Sequence, residues 1–497
     1  MSQPWEIEKF LEVKNNQLYI DGVSAVELAK EHGTPLFVYS ENRIRHNIAR
    51  IKRAESLIGC PLKICYAAKA MSTMGILKAV KNAGCDIEVN SGGELWKALE
   101  IGFRGEQIIF NGTSKEIWEI EAAINAEIYA IQVDSLYELS LIEETAIRLG
   151  KRANVSLRLV PEIQSDTHSG LQTALRTSKF GMMPDEALAA FHKYKNSPNL
   201  NLAGIHLHIG SQNPSPIGYT EAFQILFDNL IKIFEETNVR LSHINLGGGF
   251  PVSYLRDGTI EPSFAPEQRD LFSADFDPAE AIKIAWETVK KAAEENKTSA
   301  FLENITLLLE PGRSIIADTG ICLTTVRNAK QRPVYHPKGA NLKPGDTREE
   351  FGFVDADLGI LCQFPKLESE TWLLTDAGFN VLLSMETYKW YYHLISASRG
   401  EEPAVHPYKL AGPLCDGGDV YFDIEGQGRL PDHRPLPKNV RVGEILALLN
   451  CGAYSLAQAS QYNGRFLPAV VLIKDRAAPE LIRRRDRFED LVGSDIF

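Results

Sequence analysis

Between Thr34 and Leu309 short apolar runs alternate with longer, charged, amphipathic stretches, and this alternation limits the fold more than any other feature of the chain. Pro35-Leu36-Phe37-Val38-Tyr39 precedes an amphipathic stretch from Asn42 to Ser56. Leu62 to Tyr66 precedes Ser72 to Ala83, and Gln107-Ile108-Ile109-Phe110 precedes Lys115 to Ala126. Further runs are Ile128 to Val133, Val155 to Leu159, Ala203 to Ile209, His243 to Leu246 and Thr306 to Leu309. Strand-like runs separated by helical stretches build a parallel sheet. About nine such units predict an α/β fold closed into a (β/α)8 barrel rather than an open sheet. In such a barrel the chemistry belongs at the C-terminal ends of the strands.

The pattern changes near residue 320. Cys322 to Val326 reads as a strand, residues 328 to 350 are rich in Pro, Lys, Gly and Asp, and β-like runs follow at Trp372-Leu373-Leu374, Asp419 to Ile424 and Glu444 to Leu449. Residues 1 to 35 read as short strands and turns, with a hairpin at Leu18 to Gly22. A chain of 497 residues is too long for one ordinary core. The expected division is a barrel over residues 36–320 and a mostly β domain over 321–497, with an insertion near 328–370. Residues 1–35 are expected to complete the β domain.

A hydrophobic content of 44% with 24% charged residues is that of a water-soluble globular chain. The net charge of −12 argues against a nucleic-acid partner, whose phosphates need a basic face. No apolar run reaches membrane-spanning length, and the polar, acidic start Met1-Ser2-Gln3-Pro4-Trp5-Glu6 does not read as a secretory signal. The seven cysteines are scattered and form no Cys-x-x-Cys pair. Reduced thiols in a cytoplasm are expected.

The unusual residues fall at strand ends. Lys69 closes the run Leu62 to Ala68. A strand-end lysine is ordinarily just solvated, but one in a low-dielectric pocket becomes a Schiff-base nucleophile. In Gly204-Ile205-His206-Leu207-His208-Ile209-Gly210-Ser211, His206 and His208 share one strand face. Two hydrogen-bonded core histidines, a metal site and an imidazole stacked on a flat cofactor are all open readings. No acid or cysteine stands at ligand spacing, which weighs against metal. Gly247-Gly248-Gly249 after an apolar run lets backbone amides approach an anion, although one glycine cluster is more often a plain turn. Glu310-Pro311-Gly312-Arg313 offers either an ion pair or a carboxylate for a heteroaromatic nitrogen with an arginine for an anion. In Gly412-Pro413-Leu414-Cys415-Asp416-Gly417-Gly418-Asp419 a thiol sits between acids on a glycine-rich turn, which packing does not explain. Together these are the parts that pyridoxal phosphate chemistry requires.

With Ser91-Gly92-Gly93-Glu94-Leu95, Thr177-Ser178-Lys179-Phe180-Gly181, Asp376-Ala377-Gly378-Phe379-Asn380, Gly452-Ala453-Tyr454, Ser460 to Arg465 and Leu481 to Arg485, the chain resembles the alanine-racemase-type (fold type III) pyridoxal-phosphate-dependent decarboxylases from about Thr34 to Leu491. It is most similar to the diaminopimelate decarboxylase branch. The resemblance implies α-decarboxylation of meso-diaminopimelate to L-lysine with pyridoxal 5′-phosphate as cofactor. It implies that Lys69 holds the cofactor, His208 stacks on its ring, Glu310 faces the pyridine nitrogen, and Ser211, Gly248, Gly249 and Arg313 surround the phosphate and substrate edge near Tyr454. Cys415 would protonate the α-carbon from the second subunit of a homodimer with shared active sites. An amino-acid racemase on the same fold is the reading that Cys415 argues against.

Two departures bear on the substrate. The branch carries Arg-Pro-Ala-Leu-Tyr for the distal carboxylate, and this chain has Leu383-Ser384-Met385-Glu386-Thr387-Tyr388, so Ser384 stands at the arginine position while Tyr388 matches. Where the branch has Cys-Glu-Ser, this chain has Cys415-Asp416-Gly417. Ser384, Tyr388, Asp416, Arg313 and Tyr454 are the expected substrate contacts. The alternative is the same chemistry on another diamino-acid-type substrate, such as a carboxylated polyamine or a siderophore or antibiotic intermediate. Segments 253 to 300 and 328 to 370 are longer than the family pattern.

Overall fold

In the computed structural model, which describes residues 3–160, 178–256, 265–333, 369–474 and 478–496, the chain forms two compact units. One comprises Ile44–Val252 with Ala274–Ala317; the other comprises Met1–Arg43, Ser253–Ser273 and Asp318–Phe497.

The first unit is the closed parallel barrel. Its strands run Leu200–His206, His243–Asn245, Thr306–Leu309, Leu62–Ala67, Asp86–Val89, Ile108–Phe110, Ala130–Val133 and Ala153–Arg158, the last pairing again with the first. Buried on both faces, most of these strands carry apolar side chains in succession, which is why they read as continuous runs rather than alternating ones. Helices such as Met74–Asn82, Gly92–Glu100 and Leu136–Leu149 follow them. Ser91 Oγ accepts the Glu94 N–H, and Ser135 Oγ accepts the Glu138 N–H, so serine caps start two of these helices directly after a strand end.

Asp86–Val89 was not among the runs expected. Its residues alternate acid and apolar, and Glu88 turns its carboxyl inward with no solvent exposure. The run Leu36–Ser40, locally indistinguishable from a barrel strand, lies in the other unit instead. It pairs antiparallel with Gly320–Pro333 and parallel with Ala469–Ile473.

That second unit is mostly β. Its main sheet runs Arg434–Leu436, His406–Ala411, Ser369–Thr375, Gly320–Pro333, Leu36–Ser40, Ala469–Ile473, Glu480–Arg483, with Ile445–Leu448 pairing to both Gly320–Pro333 and Leu394–Ser396. The N-terminal strands Leu11–Lys14, Gln17–Ile20 and Val23–Ser24 contribute Leu11, Leu18 and Ile20 to one core with Leu36, Val38, Ile321 and Val471. Ser253–Ser273 also belongs here rather than to the barrel: Tyr254 N–H donates to Phe272 O at 2.7 Å, and both rings meet Trp390 edge-on at 5.1 Å. The run Asp419 to Ile424, expected as a strand, forms only a single bridge at Val420. Its acids cap turns instead. Asp419 accepts the Phe379 and Leu414 N–H groups, and Asp423 accepts those of Glu425, Gln427 and Arg429. Most of the expected insertion, residues 334–368, lies outside the described residues, as does Thr177.

Candidate active site

Lys69 sits in the one-turn helix Ala68–Ala70 that ends the strand Leu62–Ala67. Ala67 N–H donates to Pro311 O at 3.1 Å, which ties this strand end to the segment after the neighbouring strand Thr306–Leu309. Lys69 and Glu310 are thereby placed at adjacent strand ends. The lysine is half-buried, and its charge acts on Glu88, His206, His208 and Glu310.

Glu310 is held from both of its oxygens. It is buried, with Asn245 Nδ2 donating to Oε1 at 2.7 Å and Asn111 Nδ2 donating to Oε2 at 3.0 Å. His206 Nε2 stands 3.5 Å from Oε2. Burial alone would raise the pKa of this carboxyl, but His206, Lys69 and His208 reverse that and hold it well below the usual carboxylate range. Burial also drives His206 toward neutral imidazole. The two amide donors cannot lose a proton, so they are the firmer part of the clamp.

The loop after His243–Asn245 is built for close approach. Asn245 Oδ1 accepts the Gly247 N–H at 2.8 Å, and Gly247 and Gly249 have φ of +65° and +98°. A Cβ at Gly248 would stand 2.2 Å from the Glu310 backbone oxygen. Tyr219 OH donates to Gly248 O at 3.1 Å, and its ring stacks on Phe250. Gly248 N–H donates to His208 Nδ1 at 3.4 Å, which leaves the imidazole proton on Nε2. Burial, and Lys69 after it, push His208 well below its ordinary pKa, so its ring is a neutral plate. Arg313 Nε and Nη2 both donate to Ser211 Oγ at 3.2 Å. Gly248→Ala is expected to destabilise the protein by about 1–3 kcal/mol through overpacking and to weaken cofactor retention. A thermal melt and a pyridoxal phosphate titration check both effects.

The arrangement suits one kind of ligand. A glycine cradle beside Ser211 and Arg313 fits a phosphate, a neutral imidazole fits a flat ring, and a buried anionic carboxyl fits a protonated ring nitrogen. Comparison with known proteins agrees. Residues 43–317 match the family model described as pyridoxal-dependent decarboxylase, pyridoxal binding domain. A diaminopimelate decarboxylase of Methanocaldococcus jannaschii is 33% identical over 492 residues, covering 98% of this chain and 96% of that protein. One of Aquifex aeolicus is 30% identical, covering 98% and 97%. The chain belongs to the pyridoxal-dependent decarboxylases. The M. jannaschii diaminopimelate decarboxylase in co-complex with L-lysine has the same fold, with a TM-score of 0.78 at 32% identity and 98% of each chain covered.

As a pyridoxal-dependent carboxy-lyase, the protein gathers Lys69, His208, Ser211, Gly248, Gly249, Glu310 and Arg313 in its barrel. Sequence reasoning passed over Glu88 and Asn111, and it gave no role to Asn245. All three stand at the C-terminal ends of barrel strands, the one positional signal that could have found them. The remaining expected residues belong to the β unit. Ser384 is buried and committed, donating to Tyr454 O at 3.3 Å and to Gln458 Oε1 at 3.0 Å. Tyr454 is held at a φ of +57°, a left-handed conformation that a tyrosine rarely adopts. Tyr388 closes the short helix Leu383–Thr387. Cys415 is exposed, its N–H donating to Asn463 Oδ1 at 2.7 Å, and Tyr462 OH donates to Asp416 Oδ2 at 3.1 Å. Among the described residues no helix is long and apolar enough to cross a membrane.

Proposed function

We propose that this decarboxylase converts meso-diaminopimelate to L-lysine and carbon dioxide in the cytoplasm. The observation that carries the reading is full-length similarity to diaminopimelate decarboxylases, joined to a barrel whose strand ends bear Lys69 and the anionic Glu310. Pyridoxal phosphate, when bound, supplies the sink for the electron pair left as the α-carboxylate departs. Lys69 would hold the cofactor covalently. Glu310 would accept the hydrogen bond of the ring N–H and keep that nitrogen protonated. His208 would cover the ring and exclude water from it. The Gly248 and Gly249 backbone, Ser211 and Arg313 would hold the phosphate. Cys415 delivers the proton to the α-carbon, and Asp416, Tyr388 and Arg313 orient the substrate's distal end.

We assign the working form as a homodimer in which Cys415 serves the partner's barrel. The aromatic side chains exposed on three successive barrel helices, Trp96, Trp118 and Tyr137, support self-association. Cys415→Ala is expected to slow turnover by about 10- to 100-fold, with the cofactor band intact. Mixing this variant with Lys69→Ala should recover activity neither has alone; recovery nowhere above the separate values would rule out shared sites.

Ser384 favours a second reading. Its hydroxyl is already used by Tyr454 and Gln458, and the next cation along, Lys389, is paired to Glu386 at 2.9 Å. Loss of a bidentate guanidinium–carboxylate contact costs about 1.5–3 kcal/mol of recognition. The alternative is the same chemistry on another diamino-acid-type substrate, a carboxylated polyamine or a siderophore or antibiotic intermediate. Carbon dioxide release is measured for meso-diaminopimelate, ornithine, lysine, arginine, carboxynorspermidine and citryl-diaminopropionate. Clear preference for meso-diaminopimelate supports the first reading; silence on it with turnover elsewhere supports the second.

A further inference from the structure

Glu88 and Glu310 end two barrel strands, Asp86–Val89 and Thr306–Leu309, that flank Leu62–Ala67. Asn111, just past Ile108–Phe110, joins them with one nitrogen: Nδ2 donates to Glu88 Oε1 at 2.7 Å and to Glu310 Oε2 at 3.0 Å. Both carboxyls are buried, Glu88 completely. Glu310 has a second amide donor in Asn245, whereas Glu88 Oε2 is buried without a hydrogen-bond partner among the described residues. Two buried carboxylates that share one neutral donor do not both remain ionised. The better-solvated of the two keeps the charge, and here that is Glu310.

We propose that Glu88 and Glu310 are a dyad carrying one proton, that Asn111 assigns the proton to Glu88 and the charge to Glu310, and that Glu88 is the proton donor to Lys69 when its amine is released. The proposal rests on the cofactor reading above. The charged groups acting on Glu88 are Lys69, Glu310, Glu94 and Arg158. Burial raises its pKa to about 7, Lys69 working against that rise and Glu310 and Glu94 adding to it. When a substrate amine takes the carbonyl carbon that Lys69 held, both bonds from that carbon to Nζ break, the two N–H protons of the incoming amine pass to Nζ, and Nζ leaves as a neutral amine with its electron pair. Nζ then binds the Glu88 proton, leaving an ammonium and a carboxylate. The proton returns to Glu88 when Nζ bonds carbon again.

The test is infrared difference spectroscopy of the holoenzyme, resting against L-lysine-bound, with the visible cofactor band followed in the same samples. The parent should lose the carbonyl stretch of a protonated carboxylic acid on binding, and Glu88→Gln should show no such loss while keeping the visible band. Glu88→Asp, kept as a variant that preserves the carboxyl, should shift the stretch rather than abolish it. In the parent the stretch should titrate near pH 7, and Asn111→Ala should move that titration. Turnover of Glu88→Gln should fall about tenfold, with loss of the alkaline limb of the parent profile. No acid stretch in the parent, or an unchanged one in Glu88→Gln, overturns the dyad. An unmoved titration in Asn111→Ala overturns the part given to Asn111. A parent holoenzyme with no visible band would instead refute the cofactor reading.

Discussion

Lys69→Ala is expected to abolish the visible absorbance of the holoenzyme and to lower turnover by about 10⁴-fold or more. Two losses combine. The covalent anchor of the cofactor disappears, and so does an amine able to move a proton at the reacting carbon, a contribution of about 10²–10⁴-fold by itself. The phosphate cradle proposed for Gly248, Gly249, Ser211 and Arg313 does not involve Lys69, so the variant should still bind the cofactor, held without covalent attachment. Absorbance spectra before and after dialysis separate these effects. A persistent band in Lys69→Ala would assign the anchor to another amine. Lys63, on the same strand, points elsewhere: it pairs with Asp86 and lies over the Tyr129 ring.

Glu310→Gln is expected to cut turnover by about 10²–10³-fold, comparable to removing a preorganised electrostatic group, with the cofactor still bound. The charge proposed to keep the ring nitrogen protonated is lost, and the surroundings penalise the amide as well. Asn245 and Asn111 each donate to a different oxygen of Glu310. A glutamine offers one oxygen and one NH2, so one asparagine donor is left facing another donor, at a cost of about 1–3 kcal/mol. Glu310 has a depressed folded pKa, so its stabilising contribution is fully present above the ordinary carboxyl value of 4.5 and is lost as pH falls through the folded value. The variant should therefore lie closest to the parent in melting temperature at strongly acid pH and fall furthest behind it above pH 5. Near-normal turnover in Glu310→Gln would mean that the ring nitrogen is not held protonated.

Lys69, the glycine cluster and Glu310 were legible because each ends or directly follows an apolar run, and a parallel barrel puts strand ends on its working face. Ser384 was legible as a departure, but that its hydroxyl is consumed by Tyr454 and Gln458 was not. Asp419 to Ile424 misled because β-forming Val420, Tyr421 and Phe422 stand among acids whose short side chains satisfy local backbone donors and bend the chain into turns. Leu36 to Tyr39 misled in the opposite way: it is a strand, in the unit that the local pattern does not name.

The alternation of apolar and amphipathic stretches is a property of the chain alone and is enough to specify a closed parallel barrel and the side chains at its strand ends. Strand partners and side-chain company follow from the folded arrangement. Leu36–Ser40 went to the β unit because its hydrogen-bond partners are Gly320–Pro333 and Ala469–Ile473, distant in sequence. Glu88, Asn111 and Glu310 became one site because barrel closure brings three separated strand ends within hydrogen-bond distance. Hydrophobic periodicity is a property of neighbours along the chain. Whether a buried carboxyl keeps its proton depends on donors and charges arriving from elsewhere, and those only the fold supplies.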